Sequence, residues 1–219
     1  MPTLGFSYVL KLLSMNEKPR RTEVRKRYLP AGDGYDFHRS LRRFARKLLV
    51  DQVALADLLQ AAEKIKGESE RNSLKSALTL LEKWRSSHSG PLLTFAPVSF
   101  QSPGKLFKVR FEPDFGLTLD GRATAIHIWN TKRPVLVQRM VFAALSWLPE
   151  HYASTDSKPD DFAVLSLQDG TLTRLSASRD AHAIGPGVLS LLEQVFDRVR
   201  REIAPPLQRE DRRPPGAPA

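Results

Sequence analysis

The 219-residue chain is 41% hydrophobic, contains no cysteine and carries a formal net charge of +10. That length and apolar fraction suffice for one domain of ordinary size, and the lack of cysteine excludes disulfides, thiolate metal sites and a cysteine nucleophile, which fits a reducing cytoplasm. No run reaches the roughly eighteen apolar residues of a membrane span, and Leu4 to Leu13 lacks the basic start and small-residue cleavage site of a leader, so a cytoplasmic location without a membrane partner is expected.

The charge is concentrated early: residues 1–50 hold twelve Lys or Arg against four Asp or Glu, which is +8 of the +10. Residues 1–34 read as a basic arm. The density of Arg20, Arg21, Arg25, Lys26 and Arg27 favours an extended or disordered chain until a polyanion neutralises it. From Tyr35 to Leu49 the residues Phe37, Leu41, Phe44, Ala45 and Leu48 recur at helical spacing, and Arg39, Arg42, Arg43, Arg46 and Lys47 follow the same rhythm on another face. Such a stripe can meet phosphates, displacing condensed counterions, or can serve as a solvated face. A second helix is predicted from a cap at Asp51, carrying Leu55, Leu58, Leu59, Ala62 and Ile65 and stopping at Lys66-Gly67. A third carries Leu74, Ala77, Leu78, Leu81 and Trp84, completing a helical region over residues 35–90. A helix-turn-helix with Arg71 and Lys75 reaching DNA, or a plain helical layer, both satisfy this pattern.

Residues 91–203 change to a sheet-plus-helix pattern. Leu106 to Glu112 alternates Phe107, Val109 and Phe111 with Lys108, Arg110 and Glu112, and Pro113-Asp114 then turns the chain. A short strand over 116–120, the hairpin signal Asp120-Gly121 and a strand over 123–132 follow, predicting three antiparallel strands in a row. A buried helix over Val135 to Leu148 is expected to end before Pro149. Phe162 to Leu167 and Thr171 to Ser176 pair across Asp169-Gly170. Gly185-Pro186-Gly187 reads as a turn before a last helix with Val188, Leu191, Leu192, Val195, Phe196 and Val199. Residues 204–219 form a Pro-rich tail expected to be disordered. The fold class is therefore α+β, a mixed α/β arrangement in which an N-terminal helical region precedes a mostly antiparallel sheet flanked by helices.

That element order, together with Pro113-Asp114 opening one strand and Asn130-Thr131-Lys132 closing the next, resembles the PD-(D/E)XK nucleases. The resemblance implies a metal-binding role for Asp114, and for Lys132 the positioning or activation of the attacking water. Asn130 stands where that family has an acid, and an amide in place of a carboxylate weakens magnesium binding and leaves the water poorly activated. An accessory role without efficient cleavage is thus expected in preference to an active enzyme, with magnesium needed only if the chain is a nuclease. Residues 35–203 also resemble a group of bacterial proteins without an assigned activity that share the helical run, a Leu-x-Leu-Asp-Gly-Arg hairpin and a lysine-ended strand; this implies a fold and no chemistry.

Other residues carry weaker signals. His127 and Trp129 alternate with Ile126 and Ile128, which places them across the sheet from those isoleucines and from Asn130; that face could line a site, though a packed pair is commoner. Among His38, His88, His127, His151 and His182 no two show metal-pair spacing. No Gly-x-Ser-x-Gly elbow supports serine-hydrolase chemistry, and phosphate-loop and dinucleotide motifs are absent. Three functions stay open: an accessory protein binding DNA or RNA through the basic helix and arm; a divalent-metal nuclease in which Glu112, Asp120 or Glu82 supplies the missing ligand; and a protein-interaction or structural module.

Overall fold

In the computed structural model, which describes residues 1–29 and 39–203, a five-stranded sheet separates two hydrophobic clusters. The chain opens with β1 (Thr3–Gly5), α1 (Phe6–Leu13) and α2 (Glu17–Lys26), followed by α3 (Arg39–Leu49), α4 (Leu55–Ala62) and α5 (Glu68–Ser87). Then come β2 (Leu92–Leu93), β3 (Val98–Gln101), β4 (Lys108–Phe111), β5 (Phe115–Leu119), β6 (Arg122–Trp129), α6 (Gln138–Leu145) and α7 (Leu148–Tyr152). The strands β7 (Asp161–Ser166) and β8 (Leu172–Arg174) lead to the long α8 (Ala181–Ile203).

The larger sheet has the order β2-β5-β6-β7-β8, and its neighbours are antiparallel except β6 and β7. That one parallel pair requires a crossover, which α6 and α7 supply. Alternation along the strands sends Phe115, Leu117, Ile126, Ile128, Ala163 and Leu165 to one face, where Leu41, Phe44, Leu78 and Trp84 of α3 and α5 cover them. On the other face Ala125, Trp129, Phe162 and Val164 meet α1, α6, α8 and the smaller sheet. The result is a mixed α/β fold in which N-terminal helices precede a mostly antiparallel sheet flanked by helices. Among the described residues no helix is long and apolar enough to cross a membrane.

Several local expectations are corrected. The strand around Val109 does not extend the meander; β4 belongs to a three-stranded sheet, order β1-β4-β3, in which Leu4 of β1 lies parallel beside Val109. The third antiparallel partner in the larger sheet is instead β2, paired through Leu92 with Leu117. Residues 17–26 of the basic segment are helical and not extended, because acids offset their charge. The second helix starts at Leu55 behind Ala54, not at Asp51, and Gly67 precedes α5 where a helix stop was expected. Pro149 lies in the first turn of α7, where a missing N–H leaves no bond broken. Gly185, Pro186 and Gly187 lie within α8. A Cβ on Gly185 would stand 2.2 Å from Ser146 Oγ, and the Gly185 carbonyl accepts from Trp147 Nε1 at 2.9 Å, so glycine permits the close approach of α8 to the end of α6. The predicted residues Tyr35, Phe37 and His38 and the tail 204–219 lie outside the described residues.

Candidate functional site

The parallel strand β6 ends at Trp129, and a crevice opens beside that carboxyl end, where α1, α3 and the start of β5 meet. It is lined by Ser7, Leu41, Arg42, Asp114, His127, Ile128, Asn130 and Thr131 and encloses about 20 Å3, room for about one water. Asp114 is locked in place by β6. Its backbone N–H donates to the Ile126 carbonyl at 2.9 Å, and its Oδ2 accepts from the Ile128 N–H at 2.7 Å.

His127 projects from β6 on the face away from Ile126 and Ile128 and is only 9% exposed. Its ring meets Phe6 edge-on, with centroids 5.5 Å apart. Nε2 lies 2.7 Å from Ser7 Oγ, and Nδ1 lies 3.1 Å from Asp114 Oδ2. The second separation is short enough for a hydrogen bond, yet Nδ1 makes none that satisfies the angular requirement. Nδ1 and the carboxylate are therefore close without forming a well-aligned bond.

Asn130 enters the same crevice and is nearly buried, but both ends of its amide are engaged. Nδ2 donates to Ser73 Oγ at 3.2 Å and Oδ1 accepts from Gln168 Nε2 at 2.8 Å, which ties α5 to the β7–β8 turn through the end of β6. Lys132 lies beyond the strand, is exposed, and borders a different cavity of about 260 Å3 with Trp129, Leu136, Val141 and Val164. The alternation that would put Asn130 and Lys132 on one face stops with β6 at Trp129, so Asp114 and Asn130 share a crevice and Lys132 does not; Thr131 borders both cavities.

The residues present do not fit magnesium. Asp114 is the one carboxylate in the crevice, and among the described residues no three His, Asp or Glu gather in a way that could hold a metal ion. The other acids considered are placed elsewhere. Glu112 pairs with Arg110 at 2.9 Å, Asp120 is bound by Arg174, and Glu82 lines a shallow cavity with Leu48 and Arg85.

The basic residues divide into two groups. In the first, Arg20 donates to the carbonyls of Leu12 and Met15 at 2.8 and 2.5 Å, capping the end of α1, and burial lowers its guanidinium pKa. Arg21 and Arg25 both pair with Glu202 of α8, and Arg27 lies 3.9 Å over the Tyr8 ring. Lys26 and Lys11 reach Glu23 at 2.6 and 2.8 Å; burial works to raise that carboxyl, but these two hydrogen bonds outweigh it and hold it below the usual range. The second group is on α3. Arg39, Arg42, Arg43, Arg46 and Lys47 are all exposed opposite the buried Leu41, Phe44, Ala45 and Leu49. Arg39, Arg43, Arg46 and Lys47 make no ion pair with any other described residue, and Arg42 reaches the crevice. Arg71 and Lys75, candidates for reaching DNA, are turned to Glu63 of the α4–α5 connection.

No known protein family matches the chain, and no curated protein is detectably similar to it in sequence. Sequence reasoning missed Ser7, Ser73 and Gln168 as partners of the crevice. The Pro113-Asp114 and Asn130 readings, and the alternation on β6 that sets His127 apart from the isoleucines, pointed toward it.

Proposed function

We propose that this chain is a nucleic-acid-associated accessory protein with a nuclease-like core that lacks efficient cleavage. The observation that carries the reading is the basic face of α3: its Arg39, Arg43, Arg46 and Lys47 have no acid partner among the described residues, whereas Arg21, Arg25 and Lys26 of α2 are paired with Glu202 and Glu23. An exposed row of guanidinium groups without acid partners is available to phosphate, and each contact releases a condensed counterion. Arg42 brings this face to the mouth of the crevice holding Asp114 and Asn130. Apart from β3 and β4, which belong to the smaller sheet, and the short α7, the succession α5, β2, β5, β6, α6, β7, with β2, β5 and β6 antiparallel and β7 parallel to β6, supports the nuclease-like reading of the core. The absence of a carboxylate at Asn130, the engaged amide there and the remote Lys132 support a lack of cleavage.

A labelled duplex and a labelled single strand, titrated across a salt series with Mg2+ or Mn2+ present and then resolved on a denaturing gel, test this. Binding that weakens steeply with salt while the strands stay intact is expected. Indifference to nucleic acid even at low salt leaves the protein-interaction reading, and cleavage abolished by Asp114→Ala establishes a working nuclease instead.

A further inference from the structure

We infer that Ser7, His127 and Asp114 form a nucleophile relay directed at short-chain acyl esters. The three side chains come from α1, β6 and the start of β5, and they meet in series: Ser7 Oγ to His127 Nε2 at 2.7 Å, then His127 Nδ1 to Asp114 Oδ2 at 3.1 Å. Serine attacks a carbonyl only when a base takes its proton, and a carboxylate beside the far ring nitrogen favours the tautomer that leaves Nε2 free to accept it. The order of groups here meets that requirement. The Asp114 carboxylate cannot drift from its role, because the Ile128 N–H holds the same oxygen that faces the imidazole.

Two further observations separate this arrangement from an ordinary buried contact. His127 is nine-tenths buried, yet Nδ1 has no hydrogen-bond partner in good alignment. A histidine kept only for packing normally has such a group satisfied; here protonation at Nε2 would leave an imidazolium next to a carboxylate already in place. Ser7 also stands directly after the turn from strand β1 into helix α1, and no side chain caps that helix. Ser7 therefore lies in the first turn of α1, whose amide N–H groups receive no side-chain cap.

The reaction balances without a cofactor. Ser7 Oγ attacks the ester carbonyl carbon as its proton passes to His127 Nε2; the carbon–oxygen bond to the leaving alcohol breaks, and the alcohol departs with that proton. Water then attacks the acyl-serine, gives its proton to His127 and releases the carboxylic acid with Ser7 restored. The crevice encloses about 20 Å3 beside Leu41 and Ile128, room for a methyl-sized acyl substituent and not for a long acyl chain.

The test uses the full chain and p-nitrophenyl acetate. A single acetyl group on the peptide carrying Ser7 is expected by mass spectrometry, with hydrolysis about a hundredfold or more faster than in Ser7→Ala or His127→Gln. Equal rates in all three, or acetylation only at lysines, overturn the inference. The absence of cysteine offers a second readout that does not depend on ester turnover. Ser7→Cys introduces the sole thiol, and iodoacetamide should alkylate it at neutral pH roughly tenfold faster than in the Ser7→Cys/His127→Gln double variant, because imidazole draws off the thiol proton. The same rate in both overturns the relay even where the ester assay is silent.

Discussion

Converting Arg43 and Arg46 together to glutamine removes two charges from α3 and disturbs no ion pair with another described residue. With Arg39, Arg43, Arg46 and Lys47 meeting phosphates, log K falls against log salt with a slope of about −3.6, so raising salt from about 50 to about 200 mM weakens duplex binding about 150-fold. The double variant retains two of the four, its slope is about −1.8, and the same salt step costs about 12-fold. Fluorescence anisotropy of a labelled duplex over four or more salt concentrations measures both slopes. The control is Arg21→Gln with Arg25→Gln, which breaks the pairs to Glu202 and removes equal charge from a surface already neutralised. An unchanged slope in the α3 variant, or an equal drop in the control, refutes the assignment of binding to α3 and leaves only a diffuse effect of net charge.

Further consequences concern stability. Arg174→Met leaves the Asp161 carboxylate, 2% exposed and bound by Arg174 Nε at 3.0 Å, without its cation; a loss of about 3–5 kcal/mol in urea unfolding is expected, and a loss under about 1 kcal/mol contradicts the reasoning. Gly185→Ala drives a Cβ to 2.2 Å from Ser146 Oγ and 3.3 Å from the Ala143 carbonyl, for about 1–3 kcal/mol. A Ser146→Ala background should relieve part of that cost, and strict additivity in the double-mutant cycle would count against the contact. Burial lowers the pKa of His151, which stacks on Phe100 at 4.0 Å, while the Glu150 charge opposes the shift. The folded ring therefore binds its proton less readily than the unfolded one, so its contribution is complete above about pH 6.5 and is lost as pH falls through the depressed value. His151→Gln should flatten the acid side of the thermal-stability profile; an identical profile would show that other groups control it.

Legibility in the sequence followed the range of the interactions. The helices α3, α5 and α8 were readable because each buries one face, as Leu74, Leu78 and Leu81 or Val188, Leu192 and Val195 do at helical spacing. The β5–β6 hairpin was readable from Asp120 and Gly121, whose φ of 48° and 74° suit the two central positions of a tight turn. What could not be read depends on partners far away in the chain. Strand β1 has three residues and gains its identity from β4, and α2 is helical against α8, whose Glu202 offsets its arginines. The strand alternation of Val109 was correctly read, but alternation does not say which sheet a strand joins. In the crevice, Asp114 and Asn130 were legible as residues and not as contacts, because Ser7 lies 120 positions from His127 and Ser73 lies 57 from Asn130.

The docking of residues 3–26 also sets an order of events during synthesis. Thr3 to Gly5 can pair only after Lys108 to Arg110 have been made, and Glu17, Arg21 and Arg25 find Arg198 and Glu202 only near completion of α8. At ordinary translation speeds the interval from residue 26 to residue 203 is on the order of 10–35 s. For that time residues 3–26, with Leu4, Phe6, Leu10 and Leu12 awaiting burial, have no place to dock. The nascent protein must therefore be kept from sticking through this segment until α8 has been made.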